Sequence, residues 1–353
     1  MITRSWSKNK RTAVRLFLLF PMQYAKLFPQ IGHKSASFSQ VHTLLWEVMV
    51  LYCDKSEEKQ IDVESTCSQK HAYLIMAHNN FDQLNILLGL LDDPRNDIYL
   101  HIDKKSTGFI RENIKLQHAN IFIVDPICVT WGGHSQIDCE MLLFKAAAPG
   151  HYLYYHLLSG IDLPLKTQDE IHAFFQANAG KNFLEYDAQA NANKRFVVRT
   201  QYYHLFQNII GKRKDLAIAP LKIIKKVCLL IQKALRIRRK EFVPLYKGAN
   251  WVSITDEMVH YVLSCEQLIK KQFYHSYCAD EVFLQSIAMA SPLRDTIVKK
   301  YYRQIDWERG SPYTYRKEDV PQLLTSPAMF ARKFDASVDP EAIALIAAHL
   351  SGK

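Results

Sequence analysis

The feature that most constrains this chain is a rhythm beginning at His71, in which short apolar runs end in polar residues and are followed by segments with helical spacing. Ala72-Tyr73-Leu74-Ile75-Met76-Ala77 has strand length and no charge, the pattern of a strand covered on both faces. Phe81 to Leu91 carries its apolar residues at helical intervals. Asp97 to Asp103 predicts a second strand, Ile121 to Val124 a third, and Ser135 to Ala148 a helix after the turn Trp131-Gly132-Gly133. His151 to Leu158 predicts a further strand, and Gly160 and Pro164 mark a turn before a helix over Gln168 to Ala177. This order predicts an α/β fold with a central, mostly parallel, Rossmann-like sheet flanked by helices and a ligand crevice at the carboxyl ends of the strands.

Residues 1–70 have mixed composition and end in the polar run Asp54 to Lys70, so they read as an N-terminal extension or linker; residues 71–345 read as the working domain. Val14 to Leu27 is broken by Arg15, Pro21, Gln23 and Lys26, and Leu44 to Cys53 falls short of the roughly 20 residues a span requires. The basic residues before Leu16 to Phe20 lead into no uninterrupted apolar core and no small-residue cleavage site. Seven cysteines show no C-x-x-C pair and no zinc-type Cys/His spacing, which favours a reducing compartment and a cytoplasmic location.

A formal charge of +10 calls for an anionic partner. Much of it is concentrated between Lys212 and Lys240, where eleven residues are Lys or Arg and only Asp215 is acidic. Interleaved Leu and Ile give this segment an apolar side, so it predicts a basic amphipathic helical insertion with Pro220 in its first turn. Such a helix either lies peripherally on an anionic membrane face or packs on the domain as a solvated helix. No helix-turn-helix, RNP-like or zinc-finger pattern accompanies the charge, which excludes a nucleic-acid partner at the level of sequence.

Several residues carry chemistry in small constellations. The chain has no D-x-D pair on which a divalent cation would sit to neutralise a diphosphate. Phe330-Ala331-Arg332-Lys333-Phe334-Asp335 instead sets two cations between aromatics, where Arg can grip phosphate oxygens in bidentate fashion and Lys can act as a point charge. Asp280-Glu281 places two acids before an apolar helical run, a position that the helix dipole alone explains. By themselves, His78, His101 and Asp103 are ordinary turn or strand-end residues, and Trp131 and Trp251 ordinary packed aromatics.

Taken in order, these pieces resemble the core-2/I-branching enzyme family, glycosyltransferase family 14, which includes β-1,6-N-acetylglucosaminyltransferases and peptide O-xylosyltransferases. The resemblance runs from about His71 to Ile343. It rests on Tyr73-Leu-Ile-Met-Ala-His78, Leu100-His-Ile-Asp-Lys-Lys-Ser106, Trp131-Gly-Gly-His-Ser135, Leu158-Ser-Gly-Ile-Asp-Leu-Pro-Leu165, Gly248-Ala-Asn-Trp251, Asp280-Glu281 and Phe330-Ala-Arg-Lys-Phe-Asp335. The absence of a clear anchor and of a cysteine framework makes the chain look like a bacterial-type member.

The resemblance implies a GT-A type fold and an inverting, metal-independent transfer from a UDP-sugar to a hydroxyl of a glycan or glycoconjugate, with no cofactor. It implies that Glu281 is the catalytic base and that Arg332 and Lys333 hold the UDP diphosphate. Ser311 matches a nucleotide-contacting serine, and Arg303 and Arg309 are further candidate cations for the diphosphate. Asp103 matches the residue that meets the uracil, with Ala77 and His78 beside it, and Thr130, Trp131, Asn250 and Trp251 match further donor positions. The xylosyltransferase motif has Asp where this chain has Asn250. N-acetylglucosamine is the favoured sugar and xylose the alternative. A polyanion-binding module and a catalytically silent homologue are the competing readings; the second is disfavoured because Glu281 and Lys333 are both present.

Overall fold

The computed structural model describes residues 68–352. The expected extension therefore lies outside the described residues except for its last three, which open the first strand. The chain forms β1 (Ser68–Ala77), α1 (Phe81–Leu90), β2 (Asn96–Ile102), β3 (Asn120–Ile123), α2 (Ser135–Ala147), β4 (Tyr152–Ser159), β5 (Leu163–Pro164) and α3 (Gln168–Ala177). It continues with β6 (Asn182–Phe183), α4 (Lys194–Gln201), α5 (Gln207–Ile210), α6 (Ala219–Ala234), β7 (Ser253–Ile254), α7 (Asp256–Ser264), α8 (Glu266–Phe273) and α9 (Phe283–Met289). β8 (Ile297–Val298), β9 (Arg303–Ile305), α10 (Val320–Thr325), β10 (Phe330–Arg332) and α11 (Pro340–Leu350) complete the described segment.

Seven strands form the main sheet in the order β3-β2-β1-β4-β7-β6-β8. β1 is parallel to β2 and β4, and β2 is parallel to β3, while β7 runs antiparallel to both β4 and β6. Successive side chains of a strand face opposite ways, and β1 feeds two cores in that manner. Ala72 and Leu74 join one with α2, α7 and α9; Tyr73, Ile75 and Ala77 join the other with α1, α3 and α11. Cover on both faces is why β1 reads as a continuous apolar run. The predicted α/β layer is thus present, with helices on both sides of a mostly parallel sheet.

Local chemistry sets the element ends that matter to the site. Thr167 caps α3 by accepting from the Glu170 amide while the Glu170 carboxylate accepts from the Thr167 amide, a capping box that stops the chain sharply after β5. At the end of β4, Gly160 donates its amide to Met76 at 2.9 Å. A side chain at Gly160 would place its Cβ 2.9 Å from that of Ala77, so only glycine permits this approach. The turn through Asp162 leads into a second sheet, β5-β10-β9, in which β10 is antiparallel to β5 and parallel to β9. Arg332 thereby arrives beside the carboxyl end of β4.

The basic segment departs from its expected extent. Its helix covers Ala219–Ala234 rather than most of 212–240, with Pro220 in the first turn as predicted. Gln232 is the one fully buried residue of this helix. Among the described residues, no helix is long and apolar enough to cross a membrane.

Candidate active site

Three strand ends supply the floor of a crevice. Ala77 closes β1, and its carbonyl accepts from the Asp103 amide at 2.9 Å. Asp103 is buried after β2 and faces Lys105, whose Nζ lies 3.2 Å from Asp103 Oδ2. Ser106 Oγ donates to the His78 carbonyl at 2.7 Å, tying the two strand ends together. The His78 imidazole is held below its ordinary value. Crowding by protein leads, Asp103 opposes, and the cations Arg332, Lys105 and Lys212 add to the lowering. Residues more than 250 positions apart in the chain thus share one electrostatic neighbourhood. His101, by contrast, is a packed strand residue whose Nε2 accepts from the Ile127 amide at 3.0 Å.

Arg332 is held from two sides. Its Nη1 donates to Asp162 Oδ1 at 2.6 Å, and its guanidinium lies 4.2 Å from the centre of the Trp251 ring. The Asp162 side chain is 2% exposed. Burial pushes its carboxyl up and the Arg332 charge pulls it back. A planar guanidinium stacked on an indole with one edge anchored keeps its remaining donors oriented. Lys333 makes none of the close ion pairs found among the described residues, and its charge adds, after the Ser337 hydroxyl, to the lowering of the Asp335 carboxyl.

The second wall is the turn Tyr277 to Glu281, which precedes α9. Asp280 and Glu281 lie in a short 3-10 turn rather than in the helix itself. Glu281 Oε2 accepts from Arg199 Nη2 at 2.8 Å, and the same nitrogen donates to the Cys278 carbonyl at 3.0 Å. The Cys278 amide donates to the Gly132 carbonyl at 3.0 Å, and Tyr277 meets Trp131 edge to face, which brings the Thr130-Trp131 loop against this turn. The Thr130 amide donates to Ser135 Oγ at the start of α2, and Lys212 Nζ sits 4.3 Å from the Trp131 ring centre.

Gly248 to Trp251 bridges the two walls. The Gly248 amide donates to the Glu281 carbonyl at 2.9 Å, and three residues on Trp251 lies under Arg332. Three residues span at most about 10 Å, so the Glu281 backbone and the Arg332 guanidinium are tied to the two ends of one short segment. Asn250 donates to Glu140 Oε1 at 3.3 Å, and Gln136 donates to Asp280 Oδ2 at 2.9 Å. Burial raises the Glu140 carboxyl well above its ordinary range, with the Asp280 charge next, and burial lifts Asp280 to about 7, with Glu281 next. Two buried acids thus stand behind the half-buried Glu281.

The remaining candidates lie elsewhere. Arg303 is 6% exposed and donates to the Tyr301 and Val252 carbonyls and to Ser253 Oγ, each at 3.0 Å. It braces the junction of the two sheets and presents no exposed fork to a diphosphate. Arg309 is paired with Asp306 and Asp319 and lines a cavity that also holds Glu308. Three carboxylates around one arginine disfavour an anion there. Ser311 lies on an exposed loop, and its hydroxyl joins none of the hydrogen bonds described above.

Sequence reasoning passed over Arg199, Asp162, Glu140 and Gln136. Asp162 stands within one of the quoted blocks; Arg199, in an ordinary helix, gives no local signal. Among the described residues, one carboxylate-histidine group is compact enough to share a cation: His151, Asp256 and His260. It stands at the amino end of β4, opposite the crevice.

The fold and the convergence at the strand ends define an α/β protein whose candidate residues gather at the carboxyl edge of its parallel strands. The sequence model described as Core-2/I-Branching enzyme matches residues 71–326, and the chain belongs to that family. It is 26% identical to xylosyltransferase 2 of Rattus norvegicus over 316 residues, 80% of this chain and 34% of that protein. It is 24% identical to xylosyltransferase 1 of Mus musculus over 392 aligned residues, 99% of this chain and 37% of that protein. The chain therefore spans about a third of the length of the curated relatives it matches. Among solved structures it is similar to mouse xyloside xylosyltransferase 1 in its apo form, at 11% identity and a TM-score of 0.33, covering 74% of this chain and 96% of that one. That overlap carries no functional weight.

Proposed function

We propose that the protein is an inverting, metal-independent glycosyltransferase that moves a sugar from UDP to an acceptor hydroxyl. The observation that carries this reading is the pairing of a half-buried carboxylate, Glu281, with the anchored Arg332 and its neighbour Lys333 across the Gly248–Trp251 bridge. Family membership and the names of the relatives support it.

In this mechanism the acceptor oxygen attacks the anomeric carbon as Glu281 takes its proton. The bond from that carbon to the β-phosphate oxygen breaks, and UDP departs with the electron pair. Arg332 and Lys333 neutralise the charge that gathers on the leaving phosphate, as a divalent cation does in other sites. Asp162 and Trp251 hold Arg332 in place. Arg199 keeps the Glu281 carboxylate oriented, and Asp103, Ala77, His78, Thr130 and Trp131 form the nucleotide side of the site. N-acetylglucosamine is one donor sugar. UDP-xylose is the second reading, favoured by the relatives, which are named as xylosyltransferases.

Glu281→Gln separates binding from chemistry. Transfer should fall by at least about a hundredfold, measured as UDP release, while UDP affinity by calorimetry stays within about twofold. Equal turnover by the two proteins would remove Glu281 as the base. Comparing UDP-N-acetylglucosamine with UDP-xylose in the same assay decides between the donors.

A further inference from the structure

Beside Glu281, on the far side of Arg199 and Tyr277, a cavity of about 590 Å³ opens between α4 and α6. Lys194, Arg195, Arg199, Lys222, Lys225 and Lys226 line it, and no acidic side chain does. Of these six cations only Arg199 makes an ion pair among the described residues, and that is with Glu281. Lys225 Nζ points over the Tyr277 ring at 4.9 Å and donates to Gln207, and Lys222 Nζ donates to the Arg213 carbonyl at 2.5 Å. Burial depresses the Lys225 ammonium, as expected for a cation drawn out of water. Five uncompensated cations in a small cavity form a focused positive field that an anionic ligand relieves.

We propose that this cavity binds the phosphate or diphosphate of the acceptor, so that the hydroxyl presented to Glu281 belongs to a phosphate-linked glycan. The inference rests on the reading of Glu281 as the base. Three features favour phosphate over an acidic peptide. The recess has the volume of a small-molecule pocket. Its cations are mostly lysines acting as point charges. The adjoining face of α6 is apolar and open, with Ile223 61% and Leu230 65% exposed, which suits an acceptor carrying a lipid. Arg199 then stands between two anions, the acceptor phosphate and Glu281, and fixes the distance of the hydroxyl from the base.

The test uses the full chain, first saturated with UDP so that the donor site is filled. Inorganic pyrophosphate and farnesyl diphosphate are then titrated calorimetrically into wild type, Lys222→Ala/Lys226→Ala and Lys225→Met. Binding to UDP-saturated wild type that weakens about tenfold or more in both variants, with UDP affinity unchanged as the control for folding, supports the cavity. Farnesyl diphosphate binding much tighter than pyrophosphate identifies a lipid-linked source, and equal binding identifies a free phosphorylated glycan. No pyrophosphate binding up to about 10 mM, binding that both variants retain, or binding of an acidic glutamate-rich peptide alone each overturns it. Failure to bind UDP itself strikes the donor reading instead, because the pyrophosphate titration is then read on the UDP-free protein.

Discussion

Asp162 and Arg332 show at the residue scale how the site depends on buried charge. Their side chains lie 2.6 Å apart at 2% and 18% exposure, and removing one partner of such a pair leaves the other without compensation. Asp162→Ala should cost about 3 to 5 kcal/mol in chemical denaturation and weaken UDP binding through loss of Arg332 orientation. Asp280 supplies a pH dependence. Burial, with the Glu281 charge behind it, raises its carboxyl from 3.8 to about 7. The folded chain thus holds a proton that the unfolded chain releases between those values, and stability falls as pH rises through that window. Asp280→Asn should flatten this slope, at most about 1.4 kcal/mol per pH unit, in denaturation midpoints measured from pH 4 to 8. At this scale the sequence marked Glu281, Arg332 and Lys333 as candidates, because these residues stand in distinctive strings. It could not mark Arg199 or Glu140, whose partners lie 82 and 110 positions away and become neighbours only through packing. Nor could it show that Arg303 faces inward, because a lone cation beside Tyr302 and Gln304 looks the same buried or exposed.

Elements explain why the strand ends align. Gly248 is a tight point against backbone: a Cβ there would come within 1.9 Å of the Glu185 carbonyl and 2.8 Å of Gln285 Nε2. Gly248→Ala should therefore push the bridge away from Glu281 and lower kcat more than it raises the KM for UDP-sugar, which steady-state kinetics would read directly. β1 to α3 were legible because apolar runs and helical spacing are local properties, and a strand covered on both faces leaves a continuous run. The two-residue strands β5, β6, β7 and β8 carry no period that a reader could detect, and they exist because neighbouring backbone offers partners. The basic helix was legible in kind but too long in extent, since lysines and arginines continue past Ala234 into turns.

For the whole molecule, the placement of positive charge is the unifying fact. A chain with +10 net charge sets Arg332 and Lys333 at one wall of the crevice and a lysine-lined cavity beyond the other, with Glu281 between them. The two cationic regions fit a reaction in which both partners of the transfer carry phosphate. The membrane expectation for 212–240 joins this account as a proposal, since the apolar face of α6 lies next to the lysine row. The central claim is that protein cations, and no metal, hold the UDP diphosphate. Calorimetric titration of UDP into wild type and Lys333→Ala, each with excess EDTA, tests it most directly. The account predicts that wild-type affinity survives EDTA and that Lys333→Ala weakens it about tenfold or more. Binding abolished by EDTA and restored by a divalent cation, or unchanged in Lys333→Ala, would contradict it.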